Sequence, residues 1–381
     1  MLINGKHKVN DRKDLTYVMS GSTLLIDRQT DRRIPWLDSA RAFAILAVLL
    51  VHATEHLYVM DAAHLNGMSP QSALFAITAF TIGRLGVPLF LFLTGFLLLD
   101  RRFTEDACKK FWKKNWLGIV ITTEVWIVLY DVFLRAFRFQ PHWQTVNLFK
   151  DMFFMTQVHM GHMWYMPMIV GMYLCIPFAA RSLQNLNTKV LIFPLTILSV
   201  YAFLVPIWQV FNNALSFTKI GSVLNLGYSG GVYGIYILLG YCIKKGVLKT
   251  LKRYQIVAIS IVFFCLTVLL QILSYAYGKT YNVWYNCGFL LFCSMFLFEW
   301  FSRIHITRNQ GWRSWLSRNS FGIYLVHFPF IMLLEKWMKG LPLMMPIKVI
   351  LLWGIVLAIS ICICWTVGHF SRLSKVLLYS R

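Results

Sequence analysis

Arg41 and His52 are the residues whose types and spacing point first to chemistry. They stand eleven positions apart in a segment that runs Leu37-Asp38-Ser39-Ala40-Arg41 and ends Val51-His52. Eleven residues turn a helix by about 1100°, roughly 20° beyond three full turns, so both side chains share one face. Their separation along the axis is roughly 16 Å. A guanidinium is a planar donor fork suited to phosphates, and a neutral imidazole is a general base near neutral pH. A phosphate-bearing thioester entering tail-first would meet the cation at the mouth and the base at depth. The plainer reading is an Arg that snorkels to the interface and a His bonded to a neighbouring helix. His56 follows His52 at i+4, a spacing that can hold a metal. No third ligand accompanies it, and no metal site is expected.

The elements that must position these residues are apolar spans. Hydrophobic residues make up 58% of the 381 positions and charged residues 14%, far from the composition of a water-soluble domain. Apolar stretches fall near 37–60, 76–99, 115–137, 163–180, 189–211, 226–243, 254–276, 282–301, 320–338 and 346–370. Each approaches the ~20 residues that cross a bilayer. The expected fold is all-α and polytopic, with about ten transmembrane helices. Asp38 and Ser39 read as the N-terminal cap of the first.

The net charge of +22 invites a nucleic-acid reading, which its distribution excludes. Of the 37 Lys and Arg residues, 27 fall in the connections on one side, 8 in those on the other, and Arg41 and Arg84 lie within spans. This is the positive-inside bias, and it places both ends in the cytoplasm. Residues 1–36 are polar and lack the apolar core of a signal peptide, so they form a cytoplasmic extension. Residues 37–370 form the transmembrane domain and 371–381 a cytoplasmic tail. The eight cysteines are scattered without metal or redox spacing and read as small packing residues.

Four segments carry a family resemblance. Arg41-x10-His52 resembles the first-helix signature of the acyltransferase-3 family, bacterial membrane-bound O-acyltransferases that use acyl-CoA. Arg84-Leu85-Gly86-Val87-Pro88-Leu89-Phe90 through Thr94-Gly95-Phe96 is similar to that family's Arg before V-P-L-F-F-x-x-S-G-F/Y, with Thr94 in place of the usual Ser. His162-Met163-Trp164-Tyr165-Met166-Pro167 is similar to its H-L-W-F-L-P, and Ser320-Phe321-Gly322-Ile323-Tyr324-Leu325-Val326-His327 to its S-x-G-I-Y-x-x-H. The four occur in order across most of the chain. The chain departs from the family's Arg-x-x-Arg cluster after the second helix. It has Arg101-Arg102 and then Lys109-Lys110-Phe111-Trp112-Lys113-Lys114, which keeps the charge but not the bidentate fork.

The resemblance implies an acyltransferase, by default an O-acetyltransferase, in the bacterial cytoplasmic membrane. It implies acetyl-CoA as donor, with no permanently bound cofactor. The acceptor would be a hydroxyl of an exported surface glycan or lipid-linked saccharide. His52 is then the catalytic residue, as general base or as transient acyl carrier. Arg41 would hold the phosphates of CoA. Arg101, Arg102, Lys110, Lys113 and Lys114 either bind its nucleotide end or form an ordinary inside-positive loop.

Ionisable groups within spans are costly and mark function, which brings in Arg84 and Glu124 as cavity residues, with a helix–helix contact the other reading of Glu124. His162, Trp164 and Tyr165 would stand at the outer mouth, where aromatic rings stack on sugars or form the interfacial belt. His327 would lie in the cytoplasmic half of the ninth span. Expected partners are acyl-CoA, the saccharide acceptor and membrane lipids, with no nucleic acid. A transporter of polysaccharide or lipid intermediates is the alternative, since intramembrane charges suit it too, but no internal repeat is visible. A membrane-anchoring subunit is a third reading, in which Arg41 and His52 would be dispensable.

Overall fold

The first span begins at Pro35, a residue that favours the first helical position because its missing N–H is not needed there. The computed structural model describes residues 34–139, 145–156, 160–215, 227, 230–304 and 311–379. All but the last three residues of the expected 1–36 extension lie outside the described residues. Trp36 to the C-terminus forms one compact unit.

Every regular element among the described residues is helical. In chain order these are α1 (Pro35–Leu57), α2 (Ala62–Asn66), α3 (Pro70–Arg84), α4 (Gly86–Leu98), α5 (Glu105–Phe111), α6 (Leu117–Ala136), α7 (Thr145–Met152) and α8 (Tyr165–Ser182). There follow α9 (Ile192–Ser199), α10 (Val205–Leu215), α11 (Gly231–Lys244), α12 (Arg253–Ala276), α13 (Gly288–Ser302), α14 (Gly311–Gly340), α15 (Met345–Gly368) and α16 (Ser371–Leu377). Several merge through short 3₁₀ or π turns. Eight stretches among the described residues are long and apolar enough to cross a membrane. The chain is an all-α polytopic membrane protein.

The sixth and eighth expected spans are shorter apolar helices, α11 and α13, of 14 and 15 residues. That falls short of the ~20 residues a bilayer needs. For α13 the reason is visible: the residues before Gly288 leave the helical path and fold inward. Gln271, fully buried on α12, donates to Thr81 Oγ1 at 2.8 Å and accepts from the Val283 amide at 3.1 Å. Asn282 donates to the Met60 carbonyl at 2.9 Å, and Tyr236 to the Tyr285 carbonyl at 2.9 Å. These bonds satisfy polar groups that would otherwise be stranded in an apolar interior, and they hold 282–285 against α11, α12 and the loop that follows α1.

The packing that matters most for the site is α1 against the α3–α4 junction. A Cβ added at Gly83 would fall 2.5 Å from Val51, and one at Gly86 would fall 2.6 Å from the Ala44 carbonyl. Only glycine permits backbones this close, as at small-residue interfaces in membranes. Arg84, between the two glycines, is thereby pressed against the His52 end of α1.

One local expectation changes. Asp38 and Ser39 do not cap α1, because the helix already starts at Pro35. Asp38 is instead buried in its first turn, where Ser317 and Ser314 of α14 donate to its two oxygens at 2.7 and 3.3 Å. The 371–379 part of the tail docks on α6: Trp126 donates to the Leu377 carbonyl at 2.8 Å, Tyr379 to the Asn115 carbonyl at 2.9 Å, and Leu378 is buried.

Candidate active site

His52 sits on α1 one turn before its end, 8% exposed. Its Nδ1 lies 2.5 Å from Glu55 Oε1. A carboxylate oxygen only accepts, so Nδ1 carries the proton and Nε2 is the bare, basic nitrogen. The same carboxylate pairs through Oε2 with Arg84 Nη2 at 3.6 Å. Arg84 is buried and lies against the ring faces of Phe80 and Trp284, at 4.6 and 4.4 Å from their centroids. Its Nη1 donates to the Tyr285 hydroxyl at 3.3 Å. The result is a line of charge, Arg84 to Glu55 to His52, that orients the imidazole.

Two more histidines complete the layer. The His52 ring is 5.3 Å from that of His327 and 6.1 Å from that of His162, which are 5.2 Å from each other. Phe328 stacks on His162 at 4.3 Å. Pro329 lies inside α14 and has no N–H for the carbonyl four residues back. That carbonyl, of Leu325, accepts from the Tyr130 hydroxyl instead. With its proton so committed, Tyr130 can only accept from His162 Nε2, at 3.1 Å. His162 is therefore protonated on Nε2, and His327, whose Nδ1 donates to the Tyr324 carbonyl at 2.6 Å, on Nδ1. His162 Nδ1 and His327 Nε2 are buried without a hydrogen-bond partner among the described residues.

Two cavities approach this layer, with no wall residue in common. The first, about 810 Å³, is walled by Arg41, Val48, Arg101, Tyr165, Arg318 and His369, among others. The second, about 690 Å³, is walled by His52, Glu55, His56, Arg84, Trp164 and Trp284, with Phe328, Glu335 and Lys339. Three elements pass from one wall to the other within a turn: Val48 to His52, Tyr324 to Phe328, and Tyr165 to Trp164. On α1 that step is about 6 Å. In the first cavity Arg41 donates to Ser317 Oγ at 3.0 Å and lies 3.9 Å from Asp38.

The residues singled out from sequence divide accordingly. Arg41 and Arg101 line the first cavity, while Arg102, Lys110, Lys113 and Lys114 are exposed and line neither. Arg84 and Trp164 line the second. Tyr165, expected with them, faces the first. His162 is not at an outer mouth: the turn Gly161–Trp164 tucks inward and leaves it 1% exposed against His52. His327 lies near the middle of α14, which extends from 311 to 340. Glu124 lies on neither cavity wall, and its Oε2 is buried without a partner among the described residues.

Sequence reasoning missed Glu55, although its i+3 spacing from His52 places it on the same face. It also missed Arg318, which directly precedes the Asn319-Ser320 segment. Trp284, Tyr285 and His369 had no local signal.

A buried histidine whose tautomer is fixed by a carboxylate, on the wall of a cavity in a polytopic bundle, has the chemistry that a general base needs. A family model described as an acyltransferase domain, of the acyltransferase-3 type, matches residues 34–369. The chain belongs to that family, and it is a membrane acyltransferase. No curated protein and no solved structure matches it.

Proposed function

We propose that this protein moves an acyl group, acetyl in the simplest case, from coenzyme A to a hydroxyl of an exported or lipid-linked surface glycan in the bacterial cytoplasmic membrane. The observation that carries this reading is that two cavities of different chemistry come within one turn of each other along α1, at Val48 and His52. The first cavity has the chemistry of a donor site: Arg41, Arg101 and Arg318 offer guanidinium forks for phosphates. Its α1 wall ends at Val48, one turn short of His52. The second has the chemistry of a saccharide site, with the Trp164, Trp284 and Phe328 rings for apolar sugar faces and ionisable side chains for hydroxyls. The positive-inside bias orients the Arg41 end toward the cytoplasm, where coenzyme A is held.

In this scheme His52 Nε2 takes the proton of the acceptor hydroxyl as its oxygen attacks the thioester carbonyl. The carbon–sulfur bond then breaks, and the thiolate leaves with the proton returned from His52. Glu55 holds Nδ1–H throughout and offsets the charge of the transient imidazolium. Direct transfer is favoured over an acyl-histidine because His52 belongs to the wall of the acceptor cavity.

The test is purified protein in lipid nanodiscs with acetyl-CoA labelled in the acetyl group. Transfer of label to a saccharide, lost in His52→Ala at unchanged folding and insertion, is the expected result. Full transfer by His52→Ala, or glycan translocation with no consumption of donor, sinks the reading, the latter in favour of a carrier. Labelling of the N-terminus from outside by an impermeant reagent would remove Arg41 from the donor side.

A further inference from the structure

A second histidine–carboxylate pair stands one turn from the first. His56 Nδ1 lies 2.7 Å from Glu335 Oε2, and Lys339 Nζ lies 2.5 Å from Glu335 Oε1. The Phe328 ring meets His56 edge-on at 5.1 Å. His56, Glu335 and Lys339 all line the second cavity, as His52 and Glu55 do. Since the Glu335 oxygen only accepts, His56 holds its proton on Nδ1 and presents Nε2 as its lone-pair nitrogen. One cavity thus contains two imidazoles of the same tautomer, about 6 Å apart along α1, each locked by a carboxylate.

They are not equivalent. The α1 wall of the donor cavity ends at Val48, one turn from His52 and two turns, about 12 Å, from His56. The His162 and His327 rings gather around His52. An acyl group arriving at Val48 meets His52 first, so His56 is out of reach of the same thioester carbonyl. What His56 retains is a fixed hydrogen-bond acceptor in the acceptor cavity.

We propose that His56, locked by Glu335, binds a second hydroxyl of the acceptor and so selects which hydroxyl is presented to His52. This rests on the saccharide reading of the second cavity. It makes His56 a specificity residue, and Glu335 a positioning residue that acts through it. Lys339 holds Glu335 in turn. A molecule with several hydroxyls is gripped at two points one helical turn apart, which fixes its register against the thioester.

The full-length protein in nanodiscs, labelled acetyl-CoA and methyl gluco-, galacto- and mannopyranosides as probes test the assignment, with the acylated position read by NMR. His56→Ala is expected to raise the acceptor KM roughly tenfold, the worth of one hydrogen bond in a desolvated site. The donor KM should hold, and acyl groups should spread over more than one hydroxyl. Glu335→Gln, with its amide oxygen taken by Lys339, presents N–H to Nδ1 and moves the proton to Nε2, so acyl groups should spread over more than one hydroxyl as in His56→Ala. An equal loss of rate on all probes with unchanged KM and regiochemistry overturns the assignment, since a merely structural tie between α1 and α14 would act that way. Unchanged behaviour overturns it as well. A wild-type protein that acylates none of the glycosides overturns the saccharide reading, and this assignment with it.

Discussion

His52 and Glu55 are joined within a single turn of α1, Nδ1 to Oε1 at 2.5 Å, and this bond decides which nitrogen of the imidazole is basic. The bond is local, but its strength is not. Glu55 would be a costly bare charge at this depth were it not paired with Arg84 from a second helix.

Glu55→Gln is expected to lower kcat by about 10² to 10⁴ while leaving the donor KM within a few-fold. A glutamine amide can donate to Nδ1 and so move the proton to Nε2, which removes the base. Steady-state kinetics in nanodiscs would show it. An unchanged kcat would mean that His52 does not act as the base.

Arg41→Ala should weaken donor binding, read as a rise in Kd for coenzyme A by calorimetry. A loss of 1.5–3 kcal/mol, typical of a charge-assisted hydrogen bond, is roughly a ten- to hundredfold change. Arg41→Lys should recover only part of it, because a point charge does not replace the fork that Asp38 and Ser317 orient. Equal affinity in all three proteins would make Arg41 structural.

Tyr130→Phe removes the acceptor of His162 Nε2–H and the donor to the Leu325 carbonyl that Pro329 leaves free. Stranding two buried polar groups should cost about 1–3 kcal/mol each, visible as a lower unfolding temperature in detergent. Activity should fall beyond what stability explains, since His162 could then exchange tautomers beside His52. A variant with wild-type stability would show that Tyr130 does not hold this layer.

Asp100 lies beyond the end of α4 and pairs with Lys244 at 3.2 Å and with Lys245. Burial pushes its pKa up, but the hydrogen bond to Lys245 and the charge of Lys244 outweigh this and hold it below the usual carboxylate value. A depressed folded-state pKa stabilises the protein above the ordinary carboxylate range and ceases to do so as pH falls through the folded value. For so exposed a pair the contribution is about 0.2–1 kcal/mol. Asp100→Asn should therefore lose that much stability at neutral pH and flatten part of the acid-side loss in a thermal-shift series. An acid limb identical to that of the wild type would dismiss the pair as a stabilising contact.

The legible part of the site lay within single helices. Arg41 and His52 share a face by helical arithmetic alone, and Glu55 was within reach of the same arithmetic at i+3. The apolar runs located the helices because lipid demands long apolar segments. The eighth span was misread in length because Val283 to Tyr285 are apolar enough to pass as helix. Their backbone is instead bound by Gln271 and Tyr236, residues 12 and 49 positions away.

By itself, the sequence determined that this chain is a polytopic helical bundle, that it carries the family's four motifs, and that Arg41 and His52 stand in line. These follow from composition and a 3.6-residue period, which are local. Only the tertiary structure decided that Arg84, His162 and His327 converge on His52, and that Tyr165 and Trp164 face different cavities. It alone placed His56 opposite Glu335. Those facts depend on backbones meeting at Gly83 and Gly86, on a carbonyl released by Pro329 and on an inward fold at 282–285. Each joins residues far apart in the chain, through packing contacts and hydrogen bonds that no periodicity encodes.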